Sequence, residues 1–145
     1  MTISARNLNY LKIGIEAGRH TLVVDEPVEY GGEDSGPNPY DLLLSALAVC
    51  RVTTAQMYAR CKGWPLDELA VSLDTYKIHA RDCEDCDSDP NAREDIIEGK
   101  IDFKGDLTNE QRVRLKEIAD RCPVHRTLTT ETKIRMQLVP DSGAT

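Results

Sequence analysis

Gly36-Pro37-Asn38-Pro39-Tyr40-Asp41-Leu42-Leu43-Leu44-Ser45-Ala46-Leu47-Ala48-Val49-Cys50 is the stretch on which the architecture turns. It opens as a loop and runs into the interior of a helix. Asn38 suits the N-cap, where a side-chain oxygen accepts a free backbone N–H, and Pro39 suits the first helical position, which needs no donor. Asp41 falls in the first turn, near the positive end of the helix dipole. No breaker follows until Gly63-Trp64-Pro65. A helix is therefore predicted from Pro39 to about Arg60, ~33 Å long at 1.5 Å per residue. Leu42, Leu43, Leu44, Ala46, Leu47, Ala48, Val49 and Cys50 cover every face of its first half. A helix apolar all round is buried all round. A chain of 145 residues has few other elements to enclose it, so a second subunit is expected to complete the cover as a homodimer.

Upstream, Leu11, Ile13 and Ile15 alternate with Lys12, Gly14 and Glu16, the period of a half-buried strand. Glu16 to Arg19 supplies a turn, and His20 to Asp25 is β-branched enough to return as its partner. Downstream, Leu69, Val71 and Leu73 mark a third strand, extended by Lys77 to Ala80, and Glu94 to Lys104 a fourth. Between them lies a polar, acidic loop, Asp82 to Asn91, carrying Cys83 and Cys86. Thr108 to Gln111 has capping-box spacing, and Val113, Leu115, Ile118 and Ala119 give an amphipathic helix behind it. Pro123 suits the start of another short helix, and Thr132 to Leu138 is expected to close the chain as a strand. Residues 1–145 read as a single α+β domain with antiparallel sheet, without repeats.

Charge and composition narrow the function. Lys and Arg total 18 against 25 Asp and Glu, a net charge of −7, which repels a phosphate backbone and argues against a nucleic-acid partner. The apolar run Leu42 to Cys50 is broken by Ser45 and falls far short of the ~20 residues of a membrane span. Met1-Thr-Ile-Ser-Ala-Arg6 has no apolar core for a signal peptide, so no membrane partner and a cytoplasmic location are expected. A chain of this size buries roughly 68% of its unfolded surface and needs no disulfide staples. Its five cysteines therefore point to free thiols, catalysis or metal.

Each cysteine has a plain reading. Cys50 in an apolar helix behaves as a small buried hydrophobe, and Cys61 sits at a helix end between Arg60 and Lys62. Cys83 and Cys86 form C-x-x-C, half of a zinc site by spacing, with only His79 nearby to add a ligand. Their neighbours Asp82, Glu84, Asp85 and Asp87 would raise a thiol's pKa by repulsion. Metal or redox chemistry there is a weak expectation, and no metal site is assigned. Cys122, directly before Pro123, falls at a plausible N-cap.

The Gly36 to Cys50 segment, with Cys122-Pro123-Val124-His125-Arg126-Thr127-Leu128 following, resembles the OsmC/Ohr family of osmotically induced and organic-hydroperoxide-resistance proteins. Asp25-Glu26-Pro27 and Gly63-Trp64-Pro65-Leu66 look like its broad OsmC-like branch. The resemblance implies an intertwined homodimer with antiparallel sheets wrapped around long central helices. It also implies cofactor-free peroxidase chemistry, in oxidative-stress defence. Cys50 would attack an alkyl or lipid hydroperoxide and become a sulfenic acid. Cys122 would then close a disulfide on it, and an external dithiol, in some members a lipoylated protein, would reopen the pair. The alternative is an OsmC-like protein that binds a hydrophobic small molecule at the dimer cleft.

In one respect the sequence departs from the family. Members of this kind lower the pKa of the attacking cysteine with an arginine, held by a glutamate ten residues before that cysteine. Here that position is Tyr40, with Asp41 as the neighbouring carboxylate, ~100° away around the helix. Arg19 and His20, on the return strand of the first hairpin, are the nearest basic candidates. Arg51 adjoins Cys50 but leaves the helix on another face, and is given no role.

Overall fold

The computed structural model describes residues 1–83, 86 and 89–141. Three antiparallel strands come first: β1 (Ile3–Asn9), β2 (Lys12–Ala17) and β3 (His20–Val24), in the order β1-β2-β3. The second and third are the expected hairpin, in register with Ile13 opposite Val24 and Ala17 opposite His20. β1 was not foreseen. Its Ser, Arg and Asn residues lack an apolar alternation, and it exists by backbone pairing with β2, every residue being exposed.

The loop that follows is held by one carboxylate. Asp25, 2% exposed, accepts hydrogen bonds from Ser35 Oγ (2.6 Å), from the backbone N–H groups of Ser35 and Glu33 (3.2 Å each) and from that of Glu26 (2.8 Å). Its own N–H donates to the Pro37 carbonyl, 3.1 Å away, which aims the chain at the long helix. Gly36 is needed at this crossing, because a Cβ there would stand 2.3 Å from the Val23 carbonyl oxygen.

Helix α1 spans Pro39–Lys62 with the expected start. Asn38 Oδ1 accepts from Asp41 N–H at 2.8 Å, and Asp41 Oδ2 accepts from Asn38 N–H at 2.9 Å. Gly63, at φ +66°, ends it in the left-handed conformation. The chain then runs through β4 (Leu66–His79) and back through β5 (Arg93–Gly105), a long antiparallel pair with Leu73 opposite Gly99. Helix α2 (Asn109–Asp120) starts on the expected Thr108–Gln111 capping box, and the short helix α3 (Pro123–Thr129) follows Cys122.

The core lies where α1, α2 and the β4–β5 pair meet: Ala55, Ala59, Phe103, Leu115 and Ala119, with Trp64, Leu69 and Ile101 packed around it. Fully burying a side chain such as Leu115 stabilises by about 1.5–3 kcal/mol, whereas an exposed ion pair such as Arg6–Glu16 contributes about 0–1. Packing decides this fold.

One expectation fails within the single chain, and α1 is left uncovered by its own chain, as anticipated. Residues 131–141 form no strand; Ile134, Met136 and Leu138 alternate as a strand would but are 82–95% exposed and pair with neither sheet. Nor is α1 buried all round. Only Leu47, Ala55 and Ala59 are buried, while Val49 and Met57 are 63% and 65% exposed. By length and composition α1 is also apolar enough to cross a membrane, with mean hydropathy 1.3 in its most apolar window, which the nine-residue run had not suggested.

Asp25 generates a pH prediction. The Ser35 hydroxyl, together with the three backbone N–H groups, outweighs burial and lowers its pKa from 3.8 to about 2. A carboxyl whose folded pKa lies below its unfolded one stabilises fully above the unfolded value and loses that contribution as pH falls through the folded one. Wild type should therefore lose its advantage over Asp25→Asn between about pH 4 and pH 2, read from urea midpoints across that range.

Candidate active site

Cys50 lies on α1, half-buried; Cys122 is wholly buried at the junction where α2 ends and α3 begins. Although 72 residues apart, the two are neighbours, with the Cys50 side chain close enough to perturb the Cys122 thiol. Cys122 also caps α3, its Sγ accepting the His125 N–H at 3.3 Å. Burial pushes the Cys122 thiol above its ordinary value, while the His125 N–H pulls it back; the adjacent Cys50 adds to the rise, and the Arg51 charge opposes it.

Arg51 is the residue that the sequence reading passed over. Its guanidinium reaches from α1 across the junction, pairing through Nη1 with Asp120 Oδ1 and through Nη2 with His125 Nδ1 at 2.8 Å. Lys116 holds the other oxygen of Asp120 at 2.8 Å. Burial opposes ionisation of Asp120, yet Lys116 and Arg51 together hold its carboxyl below the ordinary value. A signal for Arg51 was present. It stands four residues after Leu47 and four before Ala55, on the stripe of α1 that packs inward, and a charge there requires a partner.

The other sequence candidates lie elsewhere in the chain. Arg19 and His20 are exposed at the β2–β3 turn. Tyr40 is exposed near Lys77, and Asp41 is committed to the Asn38 cap. None of the four is brought to the thiol pair within the chain. Cys83 and Cys86 are joined as a disulfide, with Cα atoms 5.4 Å apart, so the expectation of free thiols or metal ligands at that motif is corrected. A thiol in a disulfide cannot ligate metal, and no metal-ligating cluster occurs among the described residues. The flanking Glu84, Asp85 and Asp87 lie outside them.

Beside the junction opens a cavity of about 800 Å³. Leu47, Val71, Leu73, Ile97 and Leu128 give it apolar walls, and Arg51, Lys116, Asp120 and His125 are among its polar lining, with further charges from Asp82, Asp95, Glu98 and Lys100. Cys83 also lies on its wall.

Two cysteines thus come together at a helix junction of an α+β protein, near a cavity with apolar and charged walls. The sequence profile described as OsmC-like protein matches residues 32–137, and the chain belongs to the OsmC family. Solved structures agree on the fold. An osmotic-stress-induced detoxification protein of Psychrobacter arcticus superposes with a TM-score of 0.70 at 18% identity, covering 88% of this chain and 87% of that one. An OsmC-like protein of Mycoplasma pneumoniae gives 0.68 at 19% identity, covering 88% and 85%. The organic hydroperoxide resistance protein OhrB of Bacillus subtilis gives 0.60 at 17% identity, covering 88% and 89%. No curated protein matches the chain. Proteins of the OsmC family are soluble.

The geometry predicts a specific connectivity. Mild oxidation with diamide, then proteolysis and mass spectrometry, should recover Cys50 linked to Cys122 and Cys61 unlinked. A Cys50–Cys61 link would contradict the observed contact.

Proposed function

We propose that this chain is a cytoplasmic, homodimeric, cofactor-free peroxidase of organic hydroperoxides that turns over through Cys50 and Cys122. The observation that carries the reading is the contact between the two thiols across 72 residues of sequence. The Cys50 thiolate attacks the distal peroxide oxygen, the O–O bond breaks, and the alcohol leaves once protonated. Cys50 is then a sulfenic acid. The Cys122 sulfur displaces its hydroxyl, the disulfide forms and water departs. An external dithiol, such as a lipoylated protein, returns two electrons and two protons by exchange. The half-exposed position of Cys50 suits it to meet substrate, and the buried Cys122 suits the waiting role. A nearby second thiol protects a sulfenic acid from further oxidation. The apolar cavity walls favour alkyl or lipid hydroperoxides over small polar ones.

Peroxide consumption with a dithiol reductant tests the reading. Wild type should turn over, and Cys50→Ser should lose activity by two orders of magnitude or more, because no other group in the cycle can take the peroxide oxygen. Equal rates would reject the proposal and leave the cavity as a vessel for a hydrophobic small molecule, the second reading, which its apolar walls support.

The homodimer is supported by the uncovered apolar faces of α1 and by the unpaired, alternating segment around Ile134, Met136 and Leu138. Sedimentation equilibrium should return twice the 16.2 kDa chain mass at micromolar concentration. A monomer at that concentration would exclude the interlocked arrangement.

A further inference from the structure

Arg51 is fixed from both sides of Cys122. Asp120, which pairs with its Nη1, lies two residues before that cysteine; His125, which meets its Nη2, lies three residues after it and donates its own N–H to the Cys122 sulfur. One guanidinium from α1 thus ties the end of α2 to the start of α3 at the point where the thiol sits. A guanidinium only donates, so in this contact His125 Nδ1 is the accepting atom. Arg51 and Lys116 share the single carboxylate of Asp120, so the junction carries a net positive charge of one. The Arg51–Asp120 pair is also partly withdrawn from solvent, its side chains 17% and 37% exposed, so the charge is less screened than a surface pair would be. Buried Arg51 Nε–H has no hydrogen-bond partner among the described residues, which leaves one donor of this cation uncommitted.

We propose that Arg51 is a positioning residue for the closing step, holding Cys122 ready to attack the oxidised Cys50 rather than activating Cys50 toward peroxide. The assignment rests on the dithiol reading above for its place in a cycle. It differs from the arrangement the resemblance implied, in which a hairpin arginine and a helix glutamate serve the attacking cysteine. Here Arg51, clamped by Asp120 and His125, lies near the other sulfur, to which the His125 N–H donates. Cys122 must ionise in a buried site, which desolvation opposes, and a fixed cation with a hydrogen-bonded N–H offsets part of that cost. The other charges lining the cavity are Asp95, Glu98 and Lys100 on the sheet and Asp82 in the turn after β4. They are common to every variant below.

The closing step can be isolated without peroxide. In Cys61→Ser protein, Cys50 is first converted to a mixed disulfide with a chromogenic aromatic thiol. The Cys122 thiolate then attacks the Cys50 sulfur, the Cys50–Cys122 bond forms, and the aromatic thiolate leaves and is read by absorbance. Arg51→Met should slow closure on the order of tenfold at pH 7 and move its pH midpoint up by about one unit, since one pKa unit is tenfold in thiolate. Arg51→Lys should recover part of the shift. Asp120→Asn loosens the clamp but leaves the cations unbalanced, so its midpoint should move down. These opposite displacements cannot arise from loosened packing alone. Should Arg51→Met not fold, the Lys and Asn variants carry the same comparison. Wild-type rate and midpoint in Arg51→Met, or in the Lys and Asn variants together, would overturn the assignment, as would slowing without a shift. A chain that consumes no hydroperoxide yet shows this Arg51-dependent closure would lose the peroxidase reading and keep the inference.

Discussion

The close packing of α1 on α2 is the constraint on which the site depends. Ala55 and Ala59 face Leu115 and Ala119, and methyl side chains let two helix axes approach toward the near end of the usual 8–10 Å range. Leu47, Arg51, Ala55 and Ala59 follow one another at four-residue intervals, so they share a face. Once Ala55 and Ala59 are seated on α2, Arg51 must lie along the same seam, one turn earlier. Asp120 follows Ala119 on the facing helix, and the ion pair results from the same packing that makes the core. Cys50, next to Arg51, is carried to Cys122 by the same event. A bulky residue at 55 or 59 would cost more than stability, because it would separate the two sulfurs.

Local chemistry made much of the fold legible. The start of α1 could be read from Asn38, Pro39 and Asp41, that of α2 from Thr108 and Gln111, and the end of α1 from Gly63, because caps are written in single residues. The β2–β3 and β4–β5 strands were visible in the alternation of Ile13 with Ile15 and of Leu69 with Val71 and Leu73. β1 was not, because its side chains face solvent and carry no pattern; only backbone pairing makes it a strand. The segment 132–138 failed the other way. Its pattern is that of a strand, but a pattern does not create a pairing, and within one chain the segment joins neither sheet. The site divides similarly. Cys50 and Cys122 came from a motif resemblance, whereas Arg51 needed the tertiary seam, and Asp41 looked available only until its capping bond was counted.

The uncovered surfaces share a single cause. α1 is apolar on faces that α2 and the β4–β5 pair do not reach, the three-stranded sheet exposes Ile3, Leu8, Leu22 and Val23, and the chain end exposes Ile134 to Val139. Single exposed apolar side chains on a surface are ordinary, whereas an apolar helix left this open marks an interaction surface. Strand-like alternation at the chain end and exposed backbone at a sheet edge are complementary defects. In the proposed dimer a second copy would supply to each what the first lacks, and the apolar surface that one chain leaves open is what supports that proposal.

Burial of Cys122 looks at first like a handicap for a thiol that must react. Desolvation holds it protonated, and a protonated thiol is a poor nucleophile. In a two-thiol cycle that property is useful. A resolving thiol that was ionised and open to solvent would itself meet oxidant, and both sulfurs could then be lost to higher oxidation states. Enclosed at the α2–α3 junction, Cys122 has Cys50 as its neighbouring sulfur, and Arg51 with the His125 N–H moderates its burial without exposing it. The division of labour in the proposed cycle therefore follows from solvent access. The half-exposed sulfur meets the substrate, and the buried one reacts only with what that first sulfur has become.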